Sequence, residues 1–67
     1  MIKFTLSTSG KPVLVNRSSV AFVTDGVFQD EDGKDVQFSR IYIKDLNMES
    51  CFVDVRETVE EIWEILK

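Results

Sequence analysis

The chain has 67 residues, which is enough for a single domain near the lower size limit for independent folding. Its hydrophobic content of 43%, with five Phe, one Tyr and one Trp, argues against intrinsic disorder. The absence of histidine and the presence of a single cysteine exclude an internal disulfide, His- or multi-Cys-based metal sites and the usual near-neutral general base. A chain this small buries only about 60% of its unfolded surface, so we expect association to supply missing stability.

The charge is unevenly divided along the chain. Residues 1–24 hold three bases and no acid, giving +3, whereas residues 25–67 hold 12 acids against five bases, giving −7. Such an asymmetry can mark a binding surface, or it can create complementary faces through which identical chains meet. Three cations are few for nucleic-acid binding, which depends on clustered Lys and Arg.

No segment is long and apolar enough to span a membrane, and the N-terminus lacks the apolar core of a signal peptide. Together with the single cysteine, this predicts a cytoplasmic protein. Cys51 precedes Phe52 and Val53 and has acidic neighbours in Glu49 and Asp54. We therefore interpret it as a small hydrophobic residue, because a reactive thiol needs a basic neighbour.

Residues 2–15 predict a β-hairpin. Ile2, Phe4 and Leu6 alternate with polar residues, and residues 13–15 form a second apolar segment. The Ser9-Gly10-Lys11-Pro12 segment between them is typical of a turn, because Gly permits unusual dihedrals and Pro cannot donate within a sheet.

The next segment predicts a third strand. After the polar, turn-like residues 16–19, residues 20–24 are apolar on both faces, which favours a central strand or one covered on both sides. The Asp25-Gly26 dipeptide predicts a turn, with Val27 and Phe28 continuing the pairing beyond it.

The acidic segment at residues 29–35 predicts the tip of a hairpin, with Asp32-Gly33 as the turn dipeptide. Asp30, Asp32 and Asp35 are also possible oxygen ligands for calcium. Gly33 directly follows the second Asp, however, so the spacing does not fit a calcium-binding EF-hand loop.

The pattern of residues 36–44 predicts a long strand in which the apolar residues change from one face to the other. Val36 and Phe38 share one face, whereas Ile41 and Ile43 share the other. This pattern indicates either a bulge or a strand that packs on both faces. Residues 45–50 predict a connecting turn, and residues 51–55 a final strand.

The C-terminal segment predicts a short amphipathic helix. Thr58 and Glu61 have the spacing of a capping box, in which each side chain bonds the other residue's backbone N–H. The helical stripe behind it consists of Val59, Ile62, Trp63 and Leu66, widened by Ile65. This stripe predicts that Trp63 packs in the core, although Trp63 or Ile65 at a subunit contact is an alternative.

These elements predict an α+β fold: a small antiparallel β-meander of about five strands, with one C-terminal α-helix packed on the sheet, in a single domain of residues 1–67. The three glycines do not form a phosphate-binding loop. Glu57, Glu60 and Glu61 are explained by the helix N-terminus, where the helix dipole favours negative charge. We predict no catalytic, cofactor-binding or metal-binding residue, and hence no enzyme.

Several of these motifs occur together in a known family. The chain carries Thr5-Leu6, then Gly10-Lys11-Pro12 followed by Val15-Asn16, then Val20 and Val23, and finally residues 55–62. In this order it resembles the FlbD/SwrD-like small bacterial proteins associated with flagella and swarming, and similar short chains of bacteriophages. Residues 27–48 depart from that pattern by adding an acidic turn and a long strand. The resemblance covers about half of the chain and implies an accessory protein without catalytic residues.

The sequence therefore favours a self-associating protein-interaction module. Its surplus apolar strand faces and its helix provide candidate interface residues. These residues are Ala21, Val23, Ile41, Ile43, Trp63 and Ile65. The alternative is a nucleic-acid-binding regulator that uses Lys3, Lys11 and Arg17, with Phe38, Tyr42 and Phe52 stacking on bases beside Arg40 and Lys44.

Overall fold

The computed structural model describes residues 1–44 and 51–67, so the predicted turn at 45–50 lies outside the described residues. The described residues form five antiparallel strands in two sheets and one C-terminal helix, which confirms the predicted α+β fold. In chain order the elements are β1 (Ile2–Thr5), β2 (Pro12–Val15), a single 3₁₀ turn (Arg17–Ser19), β3 (Val20–Gln29), β4 (Asp35–Ile43), β5 (Cys51–Val55) and α1 (Val59–Leu66).

The N-terminal hairpin forms as predicted. β1 and β2 pair with Ile2 opposite Val15 and Thr5 opposite Pro12. The turn depends on Gly10, whose φ of 73° is in the left-handed region that favours glycine. The Gly10 N–H donates to the Leu6 carbonyl at 3.0 Å, which closes the turn.

The second sheet has the strand order β3–β4–β5, so strands consecutive in sequence pair, as a meander requires. Ile41 of β4 lies between Val23 and Val53, and the next residue, Tyr42, lies between Phe22 and Phe52. Because side chains alternate along a strand, these two rows lie on opposite faces. We call them the inner face and the outer face.

The course of β3 differs from the prediction in two respects. β3 continues without a turn through Asp25 and Gly26, and it is an edge strand of the three-stranded sheet. The predictions of a turn at Asp25-Gly26 and of a central strand were therefore wrong. Gly26 lies opposite Phe38, and a Cβ on Gly26 would be 2.5 Å from Phe38 Cζ. The glycine leaves room for the ring, and this packing accounts for it within a strand.

The phase change in β4 is explained by packing on both faces. Ile41 is fully buried on the inner face, whereas Phe38 and Tyr42 are half-buried on the outer face. The register of the β3–β4 pair shifts between Val20 and Phe22. The irregularity therefore falls in β3, near the beginning of that strand.

The core lies where the hairpin, the inner face and the helix meet. Its buried hydrophobic residues are Phe4, Val15, Ile41, Val55 and Ile62. The hairpin joins β5 through a bridge between Leu6 and Val55, reinforced by the Ser7 N–H donating to the Asp54 carbonyl at 2.9 Å. The two sheets therefore share one core.

Glu57 fastens the hairpin to the segment that precedes the helix. Its carboxylate accepts hydrogen bonds from the Thr5 N–H at 2.9 Å and from Thr5 Oγ1 at 3.0 Å. The Glu57 carbonyl accepts a third bond, from the buried Ser39 hydroxyl at 2.7 Å. Glu57 thus lies immediately before the N-cap residue Thr58, near the helix N-terminus, and also joins distant segments.

The capping box is confirmed. Thr58 Oγ1 accepts from the Glu61 N–H at 3.1 Å, and Glu61 Oε1 accepts from the Thr58 N–H at 3.2 Å. Each side chain satisfies a backbone donor that the first helical turn leaves without a partner. The box begins the helix four residues after β5 ends, which holds Ile62 over the core.

Candidate protein-interaction surface

Trp63 is the most exposed aromatic side chain of the helix and the sheet, with 64% of its surface accessible. Ile62 is fully buried, and Val59 and Leu66 are half-buried. The prediction that Trp63 lies in the core was therefore wrong. Successive residues of a helix are separated by about 100°, so when Ile62 points into this small core, Trp63 points to its flank.

Trp63 lines a groove between α1 and β3, which we call the edge groove. The edge groove has a volume of about 420 Å³ and is open to solvent. Its lining is almost entirely apolar and comes from the start of β3, the 3₁₀ turn before β3 and the helix. The lining residues are Arg17, Val20, Ala21, Phe22, Val23, Val59, Ile62, Trp63 and Leu66.

Arg17 fixes one end of the edge groove. Its Nη2 donates to the Ile65 carbonyl at 2.6 Å, in the last turn of α1. A cation at this place also interacts favourably with the negative end of the helix dipole. Arg17 therefore attaches the end of the helix to the start of β3 and brings a positive charge to the groove.

The floor of the edge groove continues into the open edge of β3. β3 pairs with β4 on one side, and within residues 1–44 and 51–67 no strand pairs with its other side. Its ten residues include a single charged side chain, Asp25. Natural edge strands are usually protected by charges, proline, bulges or short length. β3 has only Asp25 and the irregularity at its start.

The outer face of the three-stranded sheet carries a row of aromatic rings. Phe22 and Tyr42 are stacked, with centroids 4.3 Å apart and an interplanar angle of 22°. Tyr42 and Phe52 follow at 6.0 Å and 51°. Further along β4, Phe38 packs against Phe28 at 5.8 Å. Such cross-strand pairs stabilise a sheet face through ring–ring contact.

Arg40 completes the outer face. Its Cζ lies 4.0 Å from the centroid of the Phe52 ring, and its Nε donates to Asp54 Oδ1 at 2.8 Å. The hydrogen bond to Asp54 is the main reason why the pKa of the Arg40 guanidinium is raised above its ordinary value. Arg40 therefore forms an ion pair with Asp54 and covers one side of the Phe52 ring.

The structure places the predicted interface residues in different environments. Ala21 is exposed and Val23 half-buried in the edge groove beside Trp63, whereas Ile43 is half-buried and packs against the core. Ile65 is 37% exposed. Ile41 is fully buried because β3, β5 and the helix surround it, so its assignment to an exposed interface was wrong.

The acidic turn after β3 is organised by Asp30. Its Oδ1 accepts from the backbone N–H groups of Asp32 and Lys34, both at 2.9 Å, and Gly33 has a φ of 77°. The predicted hairpin tip is thus confirmed. In the part of the chain that the structure describes, no three Cys, Asp or Glu side chains are grouped so as to hold a metal ion.

Phe22 is a functional candidate that was not predicted from the sequence. Its 55% exposed ring belongs both to the outer face and to the lining of the edge groove. A signal was present: aromatic residues occupy positions of one parity in residues 22–28 and 36–42, whereas aliphatic Val23 and Ile41 have the other parity. That alternation indicates an aromatic outer face.

No protein-family model, curated protein or solved structure matches this chain. The resemblance to FlbD/SwrD-like proteins therefore stays a prediction from the motifs. Among the described segments, no helix has the length and apolar character needed to cross a membrane.

Proposed function

We propose that this protein is a small, non-enzymatic protein-interaction module that self-associates through the edge groove. The observation that carries the proposal is the exposure of Trp63 beside an apolar groove and beside an edge of β3 with which no described strand pairs. Aromatic residues are enriched at protein interfaces, and Trp most often supplies a large part of the binding free energy.

The amount of Trp63 surface that association can remove from water supports a role for this residue in association. A Trp side chain offers up to about 250 Å² of surface, so covering its exposed 64% removes about 160 Å² from water. At about 25 cal/mol per Å², complete coverage is worth at most about 4 kcal/mol for each copy, from which the cost of association must be subtracted. A 67-residue chain with five buried hydrophobic residues among those described gains stability from such coverage.

The biological setting follows from the motif resemblance alone. We propose an accessory protein of a bacterium or a bacteriophage that acts in the cytoplasm. The aromatic outer face and the edge groove support binding to protein, since exposed aromatic and apolar side chains are enriched at protein interfaces.

Trp63 is also a convenient reporter, because it is the only tryptophan. We expect sedimentation equilibrium between about 1 and 500 µM (a range spanning ordinary protein affinities) to show a dimer or larger assembly. The fluorescence emission of Trp63 should shift to shorter wavelength as the assembly forms. Trp63→Ala should weaken association by about 2 kcal/mol or more. A clean monomer over the whole range, with constant emission, would overturn the proposal.

The matched control is Leu14→Ala. Leu14 is 62% exposed on β2, almost the same exposure as Trp63, but it lies on the hairpin and does not line the edge groove. Its replacement should leave association unchanged. Equal weakening by both variants would indicate non-specific hydrophobic contact.

Nucleic-acid binding is the second candidate, favoured by the exposed rings of Phe22 and Phe52. Its electrostatic support is weaker, because Arg40 is paired with Asp54 and the net charge is −4. Titration with mixed oligonucleotides at low salt tests it. Binding that weakens as salt is raised would support this function, and no such binding would end it.

A further inference from the structure

We propose that the partner strand on the open edge of β3 is the β3 of a second copy, paired antiparallel about a two-fold axis so that both three-stranded sheets form one sheet of six strands. This inference rests on the proposed self-association and specifies its geometry. The occupant is a second copy of this chain, because symmetry, hydrogen-bond capacity and charge along the edge all fit it.

The symmetry and the hydrogen-bond capacity of the β3 edge both fit a second copy. Two identical strand edges related by a two-fold axis must run antiparallel, and the contact then closes on itself as a dimer. An antiparallel pair of ten-residue strands forms about ten hydrogen bonds, which is the number that a typical specific interface carries. The edge of β3 is therefore long enough to hold a dimer.

The charges at the two ends of β3 are complementary when two copies are related by the two-fold axis. Arg17 lies just before β3, and the acidic turn with Asp30, Glu31 and Asp32 lies just after it. Antiparallel pairing brings the beginning of each β3 to the end of the other. Arg17 of one copy then lies beside the acidic turn of its partner, and the same contact occurs twice.

The register follows from Asp25, the one charged residue of β3. A two-fold axis at Asp25 would place two carboxylates directly opposite each other, which destabilises a strand pair. An axis at Thr24 instead places two threonines opposite, a favourable pair. This register sets Ala21 level with Val27, and it brings Arg17 of one copy to the acidic turn that contains the partner's Glu31.

The exposed side chains beside the edge fit the same arrangement. Trp63 flanks β3 on the side of the helix, and Phe22 flanks it on the outer face. Val27 is 57% exposed, although it lies on the inner face of β3. Opposite Ala21 of the partner, Val27 enters the mouth of the partner's edge groove, beside Trp63.

The first test places a lysine on each of two edges. Val27→Lys puts a charge on β3, and Leu14→Lys puts the same charge on β2 at nearly equal exposure, 57% against 62%. Lysine is a common device for keeping sheet edges from pairing. We expect Val27→Lys to raise the dimer dissociation constant about a hundredfold or more, and Leu14→Lys to leave it unchanged, as measured by sedimentation equilibrium with native circular dichroism in both.

The second test uses charge reversal and mixing. Arg17→Glu and Glu31→Lys should each weaken self-association about tenfold, because each places like charges together at both ends of the dimer. In an equimolar mixture, the glutamate introduced in the first variant meets the lysine introduced in the second. At the other end of the same dimer, the unchanged Glu31 of the first variant meets the unchanged Arg17 of the second. The mixture should therefore associate more tightly than either variant alone, as a heterodimer.

The outcomes separate the two proposals. A wild-type protein that remains monomeric overturns the proposed self-association itself. A dimer that survives Val27→Lys, or a mixture no tighter than its separate components, leaves self-association standing and overturns the pairing of β3 with β3. Loss with Val27→Lys and recovery in the mixture support the six-stranded sheet.

Discussion

On the inner face of the three-stranded sheet, Val23, Ile41 and Val53 lie side by side beneath the helix and the hairpin. On the outer face, Phe22, Tyr42 and Phe52 cross the same three strands, and no layer formed by the described residues covers them. The inner face is stabilised by removing aliphatic side chains from water, whereas the outer face is stabilised by contacts between its own side chains. One sheet thus carries a core on one side and an accessible aromatic surface on the other.

The largest expected effect lies on the inner face. Ile41→Ala leaves a cavity where a fully buried side chain touches both neighbouring strands, so we expect the free energy of unfolding to fall by about 3 kcal/mol. Urea unfolding followed by circular dichroism measures this. Val36→Ala, at a half-buried position on the outer face of the same strand, is the control and should cost less than about half as much. Equal losses of unfolding free energy in the two variants would mean that the inner and outer faces contribute equally to stability.

The next effect tests how the outer face is packed. Gly26→Ala places a methyl group 2.5 Å from Phe38 Cζ, so the ring must move, and we expect a loss of about 1–2 kcal/mol. The Phe38→Ala background removes the ring. There, Gly26→Ala should be neutral or stabilising by about 0.5 kcal/mol, because alanine restricts the unfolded chain more than glycine does. A loss that persists without Phe38 would show that Gly26 is needed by the backbone instead.

The smallest effect concerns Arg40, at the centre of the outer face. Arg40→Met removes both the ion pair with Asp54 and the cation over Phe52. Because the Arg40 side chain is accessible to solvent, we expect a destabilisation smaller than that of Gly26→Ala, and one that shrinks as salt screens the pair. Unfolding at low and high sodium chloride concentration measures it. A loss as large as that of Ile41→Ala would remove the distinction between the two faces.

The N-terminal hairpin turn, the start of the helix and the strand positions of the inner-face residues could be predicted from the sequence. The hairpin at Gly10 and the capping box of Thr58 depend on residues only a few positions apart, so local chemistry determines them. The assignment of Ile41 and Val53 to strands follows from alternation in the same way. Their burial required the positions of the helix and hairpin as well.

The edge of β3 and the exposure of Trp63 could not be predicted in this way. An apolar strand has the same sequence pattern at the centre of a sheet as at its edge. The stacking of Phe22 on Tyr42 joins residues that are twenty positions apart in the chain, so local sequence does not show it. Asp25-Gly26 has the composition of a turn, and only the ring of Phe38 across the sheet shows why the strand continues. Trp63 has helical spacing with Val59 and Leu66, but Ile62 fills the narrow core and Trp63 is left 64% exposed.

The two hydrogen bonds from Thr5 to Glu57 have a consequence for the order of folding. They join residues 52 positions apart, whereas the β1–β2 and β3–β4 hairpins pair residues that are much closer in sequence. The entropy of closing so long a loop must be overcome before the contact between hairpin and helix becomes favourable. The β1–β2 hairpin and the β3–β4–β5 meander can therefore each form early, and the encounter of the two ends of the chain is the late event that completes the core.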